Sequence, residues 1–328
     1  MLDLGLYDRV WLSRRPPAQR LIAELFLRFD YRNVDLRLEG VERLPEHPVV
    51  LAMNHTDNFN YWPLQYQLHK LDRYTATWVK GKNYEHPGVS AFMRVTNNIP
   101  IASRGYVITR DFLGVMGRRP EPEEYRALRD AVDRGEAVER EAVERGVVPR
   151  KVLEQGRDML GRRFDPARER YDQAVQRLMD RFTERFLDLN REAYRIGCDL
   201  LVFPQGTRSV RLSRGHIGLA QIACVLGADI VPVGCNGTDG VYPGRSFRAR
   251  PGRAVYRIGA PMPLSSFADL LPDPPRDAFS REAEREHRAA FQAIVDRVMD
   301  RIDGLLDEPY RYTRDKESEG TRETERFV

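Results

Sequence analysis

The hydrophobic positions change period several times along the chain. Residues 18–29 read AQRLIAELFLRF, with Leu21, Ile22, Leu25, Phe26 and Phe29 at helical spacing and Arg20, Glu24 and Arg28 between them. Such a helix can pack on a core or lie along a membrane surface, and the pattern leaves both open. Val34, Leu36 and Leu38 then alternate with polar residues, the period of a half-buried strand. Residues 48–53 form a short apolar run, and 77–79 and 99–101 are shorter strand candidates. Residues 200–203 and 230–233 are unbroken apolar runs, the kind a parallel sheet buries on both faces. Pro232 within the last of these predicts an edge or strand-end position and a place in a pocket wall. Residues 254–258 alternate again. Helical patterns separate most of these segments, so the order predicts an α/β fold with functional loops at strand ends.

The region 117–196 has a different texture, dominated by Arg, Glu and Asp at helical periodicity. Its clearest element is predicted to start at Asp165-Pro166, a cap and first-turn proline, and to stop at Gly197. Tyr171, Val175, Leu178, Phe182, Phe186, Leu189, Ala193 and Ile196 form its single apolar stripe. A second amphipathic helix is predicted over 281–306, with Phe291, Ile294, Val298, Ile302 and Leu305 in register. The organisation expected is an N-terminal amphipathic region (1–33), an α/β domain in two pieces (34–116 and 197–275), a helical insertion (117–196), a C-terminal helix (276–308) and a disordered tail (309–328).

Composition narrows the class. Apolar residues are 41% of the 328, enough for a sizeable core. No apolar run approaches the ~18 residues of a membrane span, and residues 1–14 lack a signal-peptide core, so a cytoplasmic location is expected. Cys198, Cys224 and Cys235 include no C-x-x-C pair, which argues against a disulfide framework or a cysteine metal site. A net charge of +4 is too small to imply nucleic-acid binding.

Four segments could carry chemistry. His55 lies in NHTDNFN (54–60), just after the strand 48–53, where an imidazole can take a proton from a hydroxyl if its other nitrogen is held. FPQGTRS (203–209) also follows a buried strand; Gly206 permits a tight turn, and Thr207, Arg208 and Ser209 offer donors to an anion. A short strand ends in Arg104, and the fourth segment is IVPV (230–233).

In this order the four segments resemble the glycerolipid (PlsC-like) acyltransferase superfamily, which acylates glycerol-3-phosphate and 1-acylglycerol-3-phosphate. Its pattern is N-H-x4-D, a segment ending in Arg, F-P-E-G-T-R-S and an I-V-P-V strand. The resemblance covers roughly residues 34–110 and 198–260. It implies a mostly parallel central sheet flanked by helices, lying against the inner face of a bacterial cell membrane, and a role in phospholipid synthesis. It implies that His55, with residue 60 beside it, deprotonates an acceptor hydroxyl that attacks an acyl-CoA or acyl-carrier-protein thioester. Arg104 and Arg208 would hold the phosphate of a glycerol phosphate or lysophospholipid, with Gln205, Gly206, Thr207 and Ser209 shaping the acceptor loop. It implies no metal and no cofactor besides the thioester co-substrate. The Arg-rich faces of 117–196 are a candidate arm for acidic acyl-carrier protein. Two positions depart from the pattern, Asn60 for Asp and Gln205 for Glu, and both remove a negative charge. In a Ser-His-Asp protease the corresponding swap costs about 10⁴ in kcat. A thioester is an activated donor, so a weaker base can serve; the alternative is a catalytically weakened lipid-binding protein on the same fold.

Overall fold

The computed structural model describes residues 1–244 and 246–317, and the chain forms two compact units. Of the tail expected at 309–328, residues 318–328 lie outside the described residues. Residues 309–317 are tied down: the Tyr310 carbonyl accepts the Leu212 N–H and the Tyr310 hydroxyl donates to Asp239 at 2.7 Å.

The second unit, 12–78 and 190–317, is built on a sheet. The chain's strands are β1 (Val34–Glu39), β2 (Val50–Met53), β3 (Thr75–Lys80), β4 (Asn98–Ile101), β5 (Arg157–Met159), β6 (Arg162–Phe164), β7 (Asp199–Val202), β8 (Ile230–Asn236) and β9 (Gly252–Ile258). In this unit the order is β1-β9-β8-β2-β7-β3. Pairs β1/β9, β2/β7, β2/β8 and β3/β7 are parallel, and β8/β9 is antiparallel. Every residue of β2, β7 and β8 is buried, as their unbroken apolar runs require. Leu51, Met53, Leu201, Val231, Val233 and Tyr256 share one core with Leu27, Tyr31 and Leu64. The helix Arg281–Asp303 packs on β8 and β2. Ser280 caps it by accepting the Ala283 N–H.

Pro232 does not sit at an edge. It lies in β8, between β2 and β9. The sheet tolerates it because the β8/β9 ladder begins only at Val233↔Ile258; beside it Gly259, just past the end of β9, donates its N–H to the Pro232 carbonyl at 2.8 Å, and the bridge Ile230↔Met262 follows. Pro232 does line a cavity of about 550 Å³, with Arg43, Met262, Arg301 and Leu305.

The segment 17–30 is helical in three registers: α over Pro17–Leu21, π over Ile22–Leu27, α over Arg28–Asp30. Its buried face is Ala23, Leu27 and Tyr31. Leu21, Leu25 and Phe29 point outward, 58%, 61% and 56% exposed. The apolar stripe is wider than the core can cover.

The first unit comprises 1–11 and 79–189, so the chain changes unit after residue 78 and not at the expected 116/117 boundary. Residues 1–11 join it because Leu2, Leu6 and Tyr7 are buried and the Tyr7 hydroxyl donates to the Pro100 carbonyl at 3.0 Å. The region expected as a helical insertion also holds the β5–β6 hairpin. Arg157 and Arg162 leave that hairpin to pair with buried Asp111 and Glu169. The long helix starts at Tyr171, because Asp165 caps only a turn by accepting the Ala167 N–H. Its 25 residues run to Arg195. No helix among the described residues is long and apolar enough to cross a membrane.

One buried ion pair anchors the start of β7. Asp199 accepts from Arg73 Nε at 3.0 Å and Nη2 at 2.6 Å, and from the Val49 N–H at 3.0 Å. Burial still pushes the Asp199 carboxyl up. Arg73→Leu should therefore cost about 3–5 kcal/mol at pH 7 in urea unfolding. The loss should shrink in acid, as Asp199 becomes protonated.

Candidate active site

Three parallel strands deliver the site. β2 ends at Met53 and runs into Asn54-His55, β7 runs into 203–209, and β8 ends at Asn236, just before Thr238. These are carboxyl ends of adjacent strands, where open α/β sheets place ligands. Asn54 extends the β2/β8 pairing with its side chain. Its Nδ2 donates to the Cys235 carbonyl at 2.9 Å and its Oδ1 accepts the Cys235 N–H at 2.7 Å.

His55 is held from three sides. Its ring stacks on Phe203, with centroids 4.1 Å apart and planes at 21°. Its backbone N–H donates to Gln205 Oε1 at 3.0 Å, and its carbonyl accepts the Ser209 N–H at 2.8 Å. The β2 and β7 loops are thus stitched in both directions. Its Nδ1 lies 3.1 Å from Asn60 Oδ1.

Asn60 fixes the tautomer. Its Nδ2 faces the Asn54 carbonyl at 2.9 Å, an acceptor only, so its Oδ1 must face the ring. Nδ1 then carries the proton and Nε2 carries the lone pair. Asn60 directly precedes the helix Tyr61–His69, where an Asn side chain usually caps the helix; here it makes no cap bond. It is fully buried, and the Tyr256 hydroxyl donates to its carbonyl.

Gln205 is buried, and its amide is spent on protein groups. Besides accepting from His55, it donates to Ser213 Oγ at 3.1 Å and to the Arg211 carbonyl at 3.4 Å. Gly206 has φ +66°, and a Cβ there would meet His216 Cδ2 at 2.8 Å. Thr207 is half-buried, and Arg208 donates to Asn58 Oδ1 across the two loops. Ser209 is buried, and its hydroxyl has no hydrogen-bond partner among the described residues. His55, Asn60 and 205–209 therefore come together within the second unit. Arg104 belongs to the first, at the start of the helix Arg104–Met116, where it pairs with Asp133 at 3.2 Å.

Sequence reasoning missed several supports. Phe203 opens the motif 203–209, but nothing in the motif shows that its ring stacks on His55. Cys235, Thr238 and Tyr256 come some 180 or more positions after His55 and carry no local signal. Cys235 is buried, with its thiol pushed up to about 12 by burial, so it stays protonated at neutral pH.

Gln205→Glu should cost about 1–3 kcal/mol at pH 7.5, because it removes a buried donor and adds a buried charge. In urea unfolding the cost should fall at pH 5, where a protonated carboxyl can donate again.

Among solved structures the chain is similar to the 1-acyl-sn-glycerophosphate (LPA) acyltransferase PlsC from Thermotoga maritima, at 18% identity and a TM-score of 0.41, over 90% of this chain and 86% of that one. No family model matches the sequence, and no curated protein does.

Proposed function

We propose that the protein is an O-acyltransferase that moves a fatty acyl group from a thioester, acyl-CoA or acyl-carrier protein, to a hydroxyl of a glycerophosphate or lysophospholipid. The observation that carries this reading is the His55–Asn60 contact at a parallel strand end, which leaves Nε2 as the basic nitrogen. His55 Nε2 takes the acceptor's hydroxyl proton as the oxygen attacks the thioester carbonyl. Collapse of the tetrahedral adduct breaks the C–S bond, and the imidazolium returns its proton to the departing thiolate. The loop 206–209 shapes the acceptor site, and Arg208 supplies a guanidinium for the acceptor's phosphate. Gln205 contributes by holding the loop against His55.

The same reading places the protein on the inner face of a membrane. Leu21, Leu25 and Phe29 project together, with Arg20, Arg28 and Arg32 around them and Arg32 over the Phe29 ring at 4.6 Å. Phe247, 52% exposed, adds to the patch beside Phe26. Apolar side chains flanked by guanidiniums suit an anionic lipid surface. Burying the exposed half of three such side chains contributes about 1 kcal/mol each.

Purified protein given an acyl thioester and lysophosphatidate should release free thiol, and His55→Ala should abolish the release. If no His55-dependent turnover occurs across several donors and acceptors while lysolipid binding survives His55→Ala, the lipid-binding alternative replaces this reading. Leu21→Gln, Leu25→Gln and Phe29→Gln combined should weaken sedimentation with anionic vesicles by about 10- to 100-fold. Unchanged sedimentation would remove the membrane assignment.

A further inference from the structure

Asp57 is a buried carboxylate that no step above uses. Its residue is 7% exposed. Its Oδ1 accepts the Phe59 N–H at 2.8 Å, closing an Asx turn, and its Oδ2 accepts the Thr56 hydroxyl at 2.9 Å. Contacts continue from Thr56 to the Thr238 hydroxyl at 2.9 Å, from Thr238 to Cys235 Sγ at 3.2 Å, and from Cys235 Sγ to Asn60 Nδ2 at 3.9 Å. Asn60 Oδ1 then meets His55 Nδ1. Asp57 reaches the partner of the imidazole by two routes, the tight turn 57–60 and a buried chain of polar side chains.

A charge in this place does not help the fold. Burial pushes the Asp57 carboxyl up, and Asp239 pushes the same way, against hydrogen bonds from Thr238, Phe59 and Thr56. A carboxyl raised on folding makes the folded state less stable as pH rises. Tyr61 and Cys235, which also face it, are pushed up to about 12 and stay neutral; Tyr31, Tyr242 and Tyr256 are pushed up as well. Core packing thus gives no reason for an acid here, whereas orientation of the neighbouring turn does.

We propose that Asp57 is a positioning residue for the His55–Asn60 pair: its Asx turn and hydroxyl contacts hold Asn60 Oδ1 on His55 Nδ1, which keeps Nε2 free of a proton. The catalytic use of that nitrogen rests on the acyl-transfer reading; the positioning itself does not.

The test has two arms on the full chain. Imidazole ¹⁵N NMR, with His55→Gln to assign the resonance, should report the Nδ1–H tautomer in the wild type and a mixed tautomer in Asp57→Ala. Thiol release from an acyl thioester should fall about 10- to 100-fold in kcat in Asp57→Ala, the scale of a small misplacement, with KM within about threefold. Asp57→Asn, whose oxygen can still accept the Phe59 N–H, should keep the tautomer and recover most of the rate. Thr238→Val, which cuts the side-chain route, should also mix the tautomers and stands in if Asp57→Ala does not fold. A wild-type tautomer signature in folded Asp57→Ala or Thr238→Val would overturn the proposal, as would equal damage from Asn and Ala. Absence of wild-type turnover would remove the acyl-transfer reading and leave the NMR arm to decide this one.

Discussion

The chemistry of the site depends on which way one carboxamide points. Asn60 Nδ2 faces the Asn54 carbonyl, so its oxygen faces His55 Nδ1 and the basic electron pair of the ring sits on Nε2. Asn54 is itself pinned to Cys235 by two hydrogen bonds. The orientation of the ring is therefore inherited from the pairing of β2 with β8, and the sheet acts on the site through amide hydrogen bonds.

The two departures from the acyltransferase pattern have a shared physical basis. A carboxylate only accepts hydrogen bonds, whereas an amide accepts at one end and donates at the other. Asn60 uses both ends, on His55 and on the Asn54 carbonyl. Gln205 does the same, on the His55 N–H and on Ser213 and the Arg211 carbonyl. From sequence the changes read as lost charge. In the fold they are gained donors, aimed at the Asn54 and Arg211 carbonyls, which a carboxylate would repel.

Legibility in the sequence followed the strength of each local signal. The runs behind β7 and β8 were readable because strands buried on both faces carry unbroken apolar residues. The β5–β6 hairpin was not, since three residues per strand give no period to detect. The segment 17–30 showed its apolar stripe but not which half the core would take; the π-helical stretch turns Ala23 and Leu27 inward and leaves Leu25 outside. His55 and 203–209 were visible as strand-end motifs. Their supports on β8 and β9 were not, because only the sheet brings Cys235 and Tyr256 to Asn60.

The most direct measurement is kcat/KM against pH for thioester cleavage by the wild type and by Asn60→Asp. The acid limb reports protonation of the catalytic base. A carboxylate at position 60 would stabilise the imidazolium and should move that limb upward by about one to three pH units. A limb at the same pH in both proteins would mean that residue 60 does not hold the catalytic base, and would contradict the account.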